Sequence, residues 1–413
     1  MAQPVWSVPR RVALRFGVVA GALFLFPFPL GLIPGTRGIA AALSKPWDWL
    51  VPWFAENVLG LARPQHVFTG SGDTMFVWVQ TLLIVILAAF GAAVWSALDR
   101  QRVAYPRLQA GAIVALRLFL CTMMVLYGVA KLVEAGQFPA PSPARMDQSF
   151  GEASPMGLLW TFMGHSKAYT VFGGLAELAG GLLLLSRRTT VVGALIVAGV
   201  MTNIVMLNMS YDVPVKLFSM QLLLCALLIL LPHARRVTAA LLGYAVAEVA
   251  PRVRGTARVE RVRLVAKLAF ASVLLFGAWQ AFTDRTRPPK SELHGVWVVE
   301  TFTADGVEHA PLITDAVRWR KLIVSERGVS VRAMTDQRTW FWGAKVDPAA
   351  RTITFEMPET KTHVVWRYTR SDAHLVVDGT FRGKQLHVTF VKEPEPLLAT
   401  RGFHWVQEVP FNR

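Results

Sequence analysis

Glu177 is the residue in this chain best placed to do chemistry, because it is an ionisable side chain inside an apolar run. It sits in the stretch Phe172-Gly173-Gly174-Leu175-Ala176-Glu177-Leu178-Ala179-Gly180-Gly181. A carboxylate inside a membrane span is costly, so such residues pair with a cation, carry protons or hold a ligand. Gly173, Glu177 and Gly181 are spaced i, i+4, i+8 and share one helix face. Small residues at that spacing let helices approach closely, which points Glu177 into a bundle rather than at lipid. At ~1.5 Å per residue it lies roughly 15 Å into its helix, near the midplane.

The candidate partners lie on neighbouring apolar stretches. Arg117 differs from Glu177 in depth by only several ångströms at ~1.5 Å per residue, within reach of a long guanidinium. The expectation is an Arg117–Glu177 charge pair at the floor of a polar cavity. Tyr127, Asn203 and Gln221 are expected to line that cavity above the pair, with Lys131 higher still. Tyr127, Lys131 and Glu134 form an i, i+4, i+7 face. Lys131, Glu134 and Lys216 lie near interfaces, where snorkelling is the expected behaviour. Asn203 and Asn208 are five apart and should not share a helix face. The cavity would bind a ligand or handle protons; the competing reading is a charge pair and hydrogen bonds that only fix packing.

These residues need a membrane-embedded scaffold, and the composition supplies one. The 413-residue chain is 53% hydrophobic and 17% charged, with mean hydropathy +0.41. Seven apolar stretches approach the length needed to cross ~30 Å of hydrocarbon. They are roughly Val12–Ile33, Met75–Ala97, Gly111–Val133, Ala168–Ser186, Val191–Met209, Val215–Leu231 and Leu264–Phe282. Pro27 and Pro29 should break the first, which is too long and lacks the cleavage site of a signal peptide. The net charge of +16 comes largely from arginines between the spans, so it argues for membrane topology rather than nucleic-acid binding. Arg10, Arg11, Arg15, Arg100, Arg102, Arg107, Arg187 and Arg188 fall on alternate connections. So do Arg235, Arg236, Arg252, Arg254, Arg258, Arg261 and Arg263. This pattern places the N-terminus on the cytoplasmic side of a bacterial cytoplasmic membrane and the C-terminal part outside it.

Two connections carry structure of their own. Lys45–Leu61 holds Trp47, Trp49, Trp53 and Phe54 beside Asp48 and Glu56, which suits an aromatic interfacial helix. Gln137–Ser166 is rich in Pro and Gly and then apolar at 158–163, as for a long outer loop with a short re-entrant or surface helix. The chain divides into a helical membrane domain over 1–283, a linker at 284–290 and an all-β domain over 291–413. The β domain is expected at Val296–Phe302, Leu322–Val324, Val329–Met334, Thr352–Phe355, His363–Tyr368, Leu375–Val377 and Leu386–Val391. Turn signals such as Asp305-Gly306, Arg327-Gly328, Asp378-Gly379 and Arg382-Gly383 separate these runs. A sandwich or a small barrel of about eight strands follows. The strand spacing and an early Gly295-x-Trp297 resemble a lipocalin-like calycin. The tail Arg401–Glu408 should either be a last strand filling the barrel or a rim that docks or holds a ligand.

The two cysteines, Cys121 and Cys225, lie inside spans and form no C-x-x-C, so they should be small buried residues. The histidines show no metal-binding spacing, and no metal site is expected.

The stretch from Arg117 to Pro232 resembles the DoxX-like family of membrane proteins. The likeness rests on Tyr127-Gly128-Val129-Ala130-Lys131, on Gly173–Leu185 around Glu177, on Arg187-Arg188-Thr189, and on Asn203 with Met206–Asn208. The resemblance implies a four-helix core at about 111–232 and, from its better understood members, an association with quinone redox chemistry. No dinucleotide, haem or dithiol motif is present, so no cofactor is evident in the chain and any redox centre would be borrowed; a quinone is what the resemblance implies. Two function classes follow. The first is a membrane protein whose cavity binds a quinone or another lipophile in a redox-associated envelope process. The second is a non-enzymatic envelope protein whose outer β domain binds a lipid or protein partner, with the helices as anchor.

Overall fold

The computed structural model describes residues 5–33, 35–67, 69–133, 136–245, 256–283, 289–357 and 359–412. Glu134, Arg252, Arg254 and linker residues 284–288 lie outside the described residues. The chain forms two compact units: Met1–Gly136 with Ala168–Thr283, and Gln137–Lys167 with Asp284–Arg413.

The first unit is helical: α1 (Val8–Leu25), α2 (Arg37–Asn57), α3 (Met75–Leu98) and α4 (Pro106–Leu132) precede the segment that joins the second unit. That segment holds two short helices, α5 (Pro143–Met146) and α6 (Pro155–His165). The first unit resumes with α7 (Lys167–Leu183), α8 (Thr190–Ser210), α9 (Lys216–Leu230), α10 (Ala234–Leu241) and α11 (Ala257–Thr283). Among the described residues, five stretches are long and apolar enough to cross a membrane: α3, α4, α8, the α9–α10 run from Lys216 to Leu241, and α11 from Ala257 to Ala281. The other two expected spans are shorter or more charged. Helix α7 has 17 residues, and α1 has 18 with Arg10, Arg11 and Arg15 among them. Helix α1 ends ahead of Pro27 and Pro29, where proline cannot donate to the helix ladder.

Local chemistry fixes the ends and faces of these helices. Thr74 caps α3 by accepting from the Val77 N–H. The Asp73 carboxylate accepts from the backbone N–H groups of Lys216 and Leu217 at 2.8 and 3.0 Å, opposite the positive end of the α9 dipole. Helix α2 buries Val51 and Ala55 in a cluster with Phe76, Val79 and Leu83 of α3. Its other side exposes Trp49 and Trp53, stacked at 6.1 Å. A second cluster, built on Leu120, Met124 and Val125 of α4, takes in Val197 of α8, Leu222 and Ala226 of α9, and Ala278 of α11. Cys121 and Cys225 are buried in it as free thiols.

The second unit is one antiparallel sheet. Its strands are β1 (Gly295–Ala304), β2 (Val307–Glu308), β3 (Trp319–Ser325), β4 (Gly328–Ala333), β5 (Arg338–Trp342) and β6 (Lys345–Asp347). They continue with β7 (Thr352–Glu356), β8 (His363–Arg370), β9 (His374–Phe381) and β10 (Lys384–Lys392). The order is β5-β4-β3-β1-β10-β9-β8-β7-β6, with β2 attached to β1. First strand thus pairs with last, and the sheet curls into a half-barrel whose path is open between β5 and β6. A bulge between Val299 and Thr301 shifts the phase of β1, so that Trp297 and Val299 before it and Phe302 and Ala304 after it all face the interior.

Aromatic rings fill that interior. Trp366 lies 4.5 Å from Phe355 and 5.2 Å from Trp319 between ring centroids, and Phe341 lies 4.3 Å from Phe355. Trp297, Phe302, Phe341 and Phe390 are fully buried. The tail departs from the expectation of a barrel-filling last strand. After β10 the chain makes α12 (Leu397–Thr400) and then runs to 412 without joining the sheet.

Candidate functional site

Glycine packing places Glu177 between helices. A Cβ on Gly128 of α4 would lie 2.8 Å from the Gly174 carbonyl oxygen of α7, and one on Gly174 would lie 2.8 Å from the Gly128 carbonyl oxygen. A Cβ on Gly181 would lie 2.7 Å from the Met124 Cβ. Positions rise along α4 as they fall along α7, so the two helices are antiparallel at backbone contact. On its other side, Gly180 abuts Val197 of α8. The glycine face is therefore Gly174, Glu177 and Gly181, one residue round from the expected one. Gly173 has open space where a Cβ would go.

The partner of Glu177 is Lys131, not the expected Arg117. Lys131 Nζ donates to Glu177 Oε1 at 3.0 Å and to Oε2 at 2.7 Å, and the two side chains are 8% and 1% exposed. Helical side chains lean toward the N-terminus of their own helix. On antiparallel helices Lys131 and Glu177 therefore lean toward each other, whereas a residue placed where Arg117 is leans away. Arg117 donates instead, through Nε at 2.8 Å and through Nη2, to the carbonyl of Leu184, just past the last residue of α7. There it satisfies an orphan carbonyl and places positive charge at the negative end of the α7 dipole. Lys131 does not snorkel, because the carboxylate beneath it offers the nearer countercharge.

The other expected site residues divide. The Tyr127 ring lies 5.7 Å from Lys131 Nζ, one turn earlier on the same helix, and so joins the pair. Asn203 does not. Helix α8 buries Gly193, Val197, Met201 and Asn208, and Asn203 lies on the opposite, exposed face. Gln221 of α9 donates from Nε2 to Thr81 Oγ1 of α3 at 3.4 Å, away from Glu177. The site that forms is Tyr127, Lys131 and Glu177: a phenol, an ammonium and a carboxylate at a glycine-packed crossing.

A second buried acid lies in the other unit. Asp147, just after α5, is 2% exposed and accepts from three cations. Lys321 Nζ of β3 reaches Oδ1 at 2.8 Å, while Arg332 Nη1 of β4 and Arg338 Nη2 of β5 reach Oδ2 at 3.1 and 2.6 Å. Arg338 also donates to the Ala144 carbonyl, and Arg332 to Glu152. Hydrogen bonding to Ser149, with Arg332 nearby, holds the Glu152 carboxyl below its usual range. Residues 137–167 are thus fastened to the sheet, although in sequence they separate the two helices that carry Lys131 and Glu177. A lone Asp in a Pro-rich loop gave no sequence signal for this clamp.

Among the described residues, the chain combines five apolar stretches long enough to cross a membrane, an ion pair between helices and a C-terminal antiparallel half-barrel. Over 120 residues the chain is 35% identical to the uncharacterized protein YwoB of Bacillus subtilis (strain 168), which covers 29% of this chain and 75% of that relative. The chain belongs to the same family as that protein. No family model matches it, and no solved structure does.

Proposed function

We propose that this is a DoxX-like integral membrane protein that binds a lipophilic carbonyl compound, a quinone or a related molecule, at Tyr127, Lys131 and Glu177. The observation that carries this reading is the Lys131–Glu177 pair, 8% and 1% exposed between apolar helices. Ionisable residues at such depth mark ligand or proton sites by default. The donor set fits a quinone: an ammonium and a phenol donate to carbonyl oxygens, and a carboxylate accepts a proton. A bound quinone would supply two-electron, two-proton redox chemistry. Lys131 would orient the ring through a charge-assisted hydrogen bond. Glu177 would hold Lys131 in place and exchange a proton at Oε1 or Oε2, and Tyr127 would cover the ammonium. The five apolar helices and the alternating arginines support a bacterial cytoplasmic membrane location, N-terminus inside and half-barrel outside.

Binding of a short-chain quinone to the purified full-length protein tests this reading. Wild type should bind, and Glu177→Gln and Lys131→Met should each weaken binding at least tenfold. Unchanged binding in folded Glu177→Gln would leave the pair with a packing role only.

A further inference from the structure

Residues 403–411 form a highly exposed aromatic segment. Beyond α12, Phe403 is 78% exposed, Trp405 91%, Val406 75% and Val409 72%. Phe403 and Trp405 meet edge to face at 4.9 Å, and the Arg401 guanidinium lies 3.9 Å from the centre of the Phe411 ring. Exposed clusters of this kind mark contact surfaces. None of these residues joins the buried cluster of Trp297, Phe302, Phe341, Trp366 and Phe390 inside the half-barrel.

We propose that residues 401–411 are an interfacial membrane anchor that seats Phe403, Trp405 and Val406 among lipid headgroups. The residue types support a bilayer as the occupant. Trp and Phe alternate with Arg401, His404, Gln407 and Glu408, the amphipathic mixture found at headgroup level. The segment is far too short and polar to span. The sheet also follows α11, itself long and apolar enough to cross a membrane, after only residues 284–294. A bilayer is therefore the surface this tail meets without a diffusional search. The anchor would hold the half-barrel at two points, through α11 and through its own C-terminus.

The test uses the full-length protein in vesicles of phosphatidylcholine and phosphatidylglycerol. An environment-sensitive fluorophore is attached at Val406→Cys; the native thiols Cys121 and Cys225 are buried. The fluorophore should emit to the blue of the same label at Asp372→Cys, an exposed position beside β9. Lipids brominated near the headgroup should quench it. Adding Phe403→Ser and Trp405→Ser should return the emission to that of water and remove the quenching. These positions are exposed, so the variants leave the folded core untouched. A label at 406 that behaves like the one at 372 would overturn the proposal. So would blue emission that bromolipids fail to quench, which would mean docking on protein.

Discussion

Replacing Glu177 with Gln isolates the charge in the Lys131–Glu177 pair. The amide keeps the size of the side chain and one acceptor oxygen, but it leaves the Lys131 ammonium without the carboxylate that now accepts from it at 2.7 and 3.0 Å. Breaking a buried pair by removing one partner costs ~3–5 kcal/mol. That is about two to three and a half powers of ten in the folding equilibrium, at ~1.4 kcal/mol per decade. An ordinary interhelical hydrogen bond in a membrane averages only ~0.6 kcal/mol, so the two cases are separable. The burial of both groups, 1% and 8% exposed, argues for the larger figure. The assay is reversible unfolding in mixed micelles, followed by circular dichroism. A double variant, Lys131→Met with Glu177→Leu, should recover most of the loss, because apolar residues of similar volume replace buried pairs at little or no cost. A Glu177→Gln protein within ~0.6 kcal/mol of wild type would refute the reasoning.

Gly174→Ala and Gly128→Ala should each destabilise the helical unit by ~1–3 kcal/mol through overpacking, whereas Gly173→Ala, which meets open space, should be neutral in the same unfolding assay. Asp147→Ala removes the carboxylate that Lys321, Arg332 and Arg338 share but leaves Lys321 with Glu393, Arg332 with Glu152 and Asp336, and Arg338 with the Ala144 carbonyl; it should cost ~1–3 kcal/mol, seen as faster proteolysis within 137–167 under native conditions. Burial tends to raise the Asp315 carboxyl, but hydrogen bonds from His309 and from the Val317 and Arg318 N–H groups outweigh it, so its pKa is lowered on folding. Its contribution to stability is complete above the unfolded value of ~3.9 and is lost as pH falls through the lower folded value; Asp315→Asn should flatten the acid limb of a melting-temperature profile. Reporter fusions should be active outside the membrane after Ser291 and inactive after Arg102; the reverse pattern would invert the proposed orientation.

The sequence carried the elements better than it carried their contacts. Apolar run length places α3, α8 and α9 to within two residues, while α4 and α11 begin five and seven residues ahead of their apolar runs, at Pro106 and Ala257, in polar turns that hydropathy does not mark. Alternation and turn glycines located β1, β3, β4 and β7 to β10. Strand β5, Arg338-Thr339-Trp340-Phe341-Trp342, carries little strand signal in sequence: Phe341 is its one fully buried residue, and no turn glycine precedes it. At the site, helix depth alone suggested Arg117 for Glu177. Depth ignores the lean of each side chain, and that lean joins Lys131 to Glu177 across antiparallel helices. Period-four reasoning put Gly173 on the contact face, whereas the helices meet at Gly174, a shift of about 100° that helical periodicity cannot fix. The same limit applies to Asn203, whose helix turns the Met201 face inward.

The most direct test of a lipophile site at Tyr127, Lys131 and Glu177 is mass spectrometry of the small molecules that copurify with the full-length protein from its native membrane. The account predicts a quinone or related carbonyl lipophile in near-stoichiometric amount with wild type, and its loss from folded Glu177→Gln and Lys131→Met. Wild-type protein that carries only bulk phospholipid, or equal quinone in all three proteins, would contradict it.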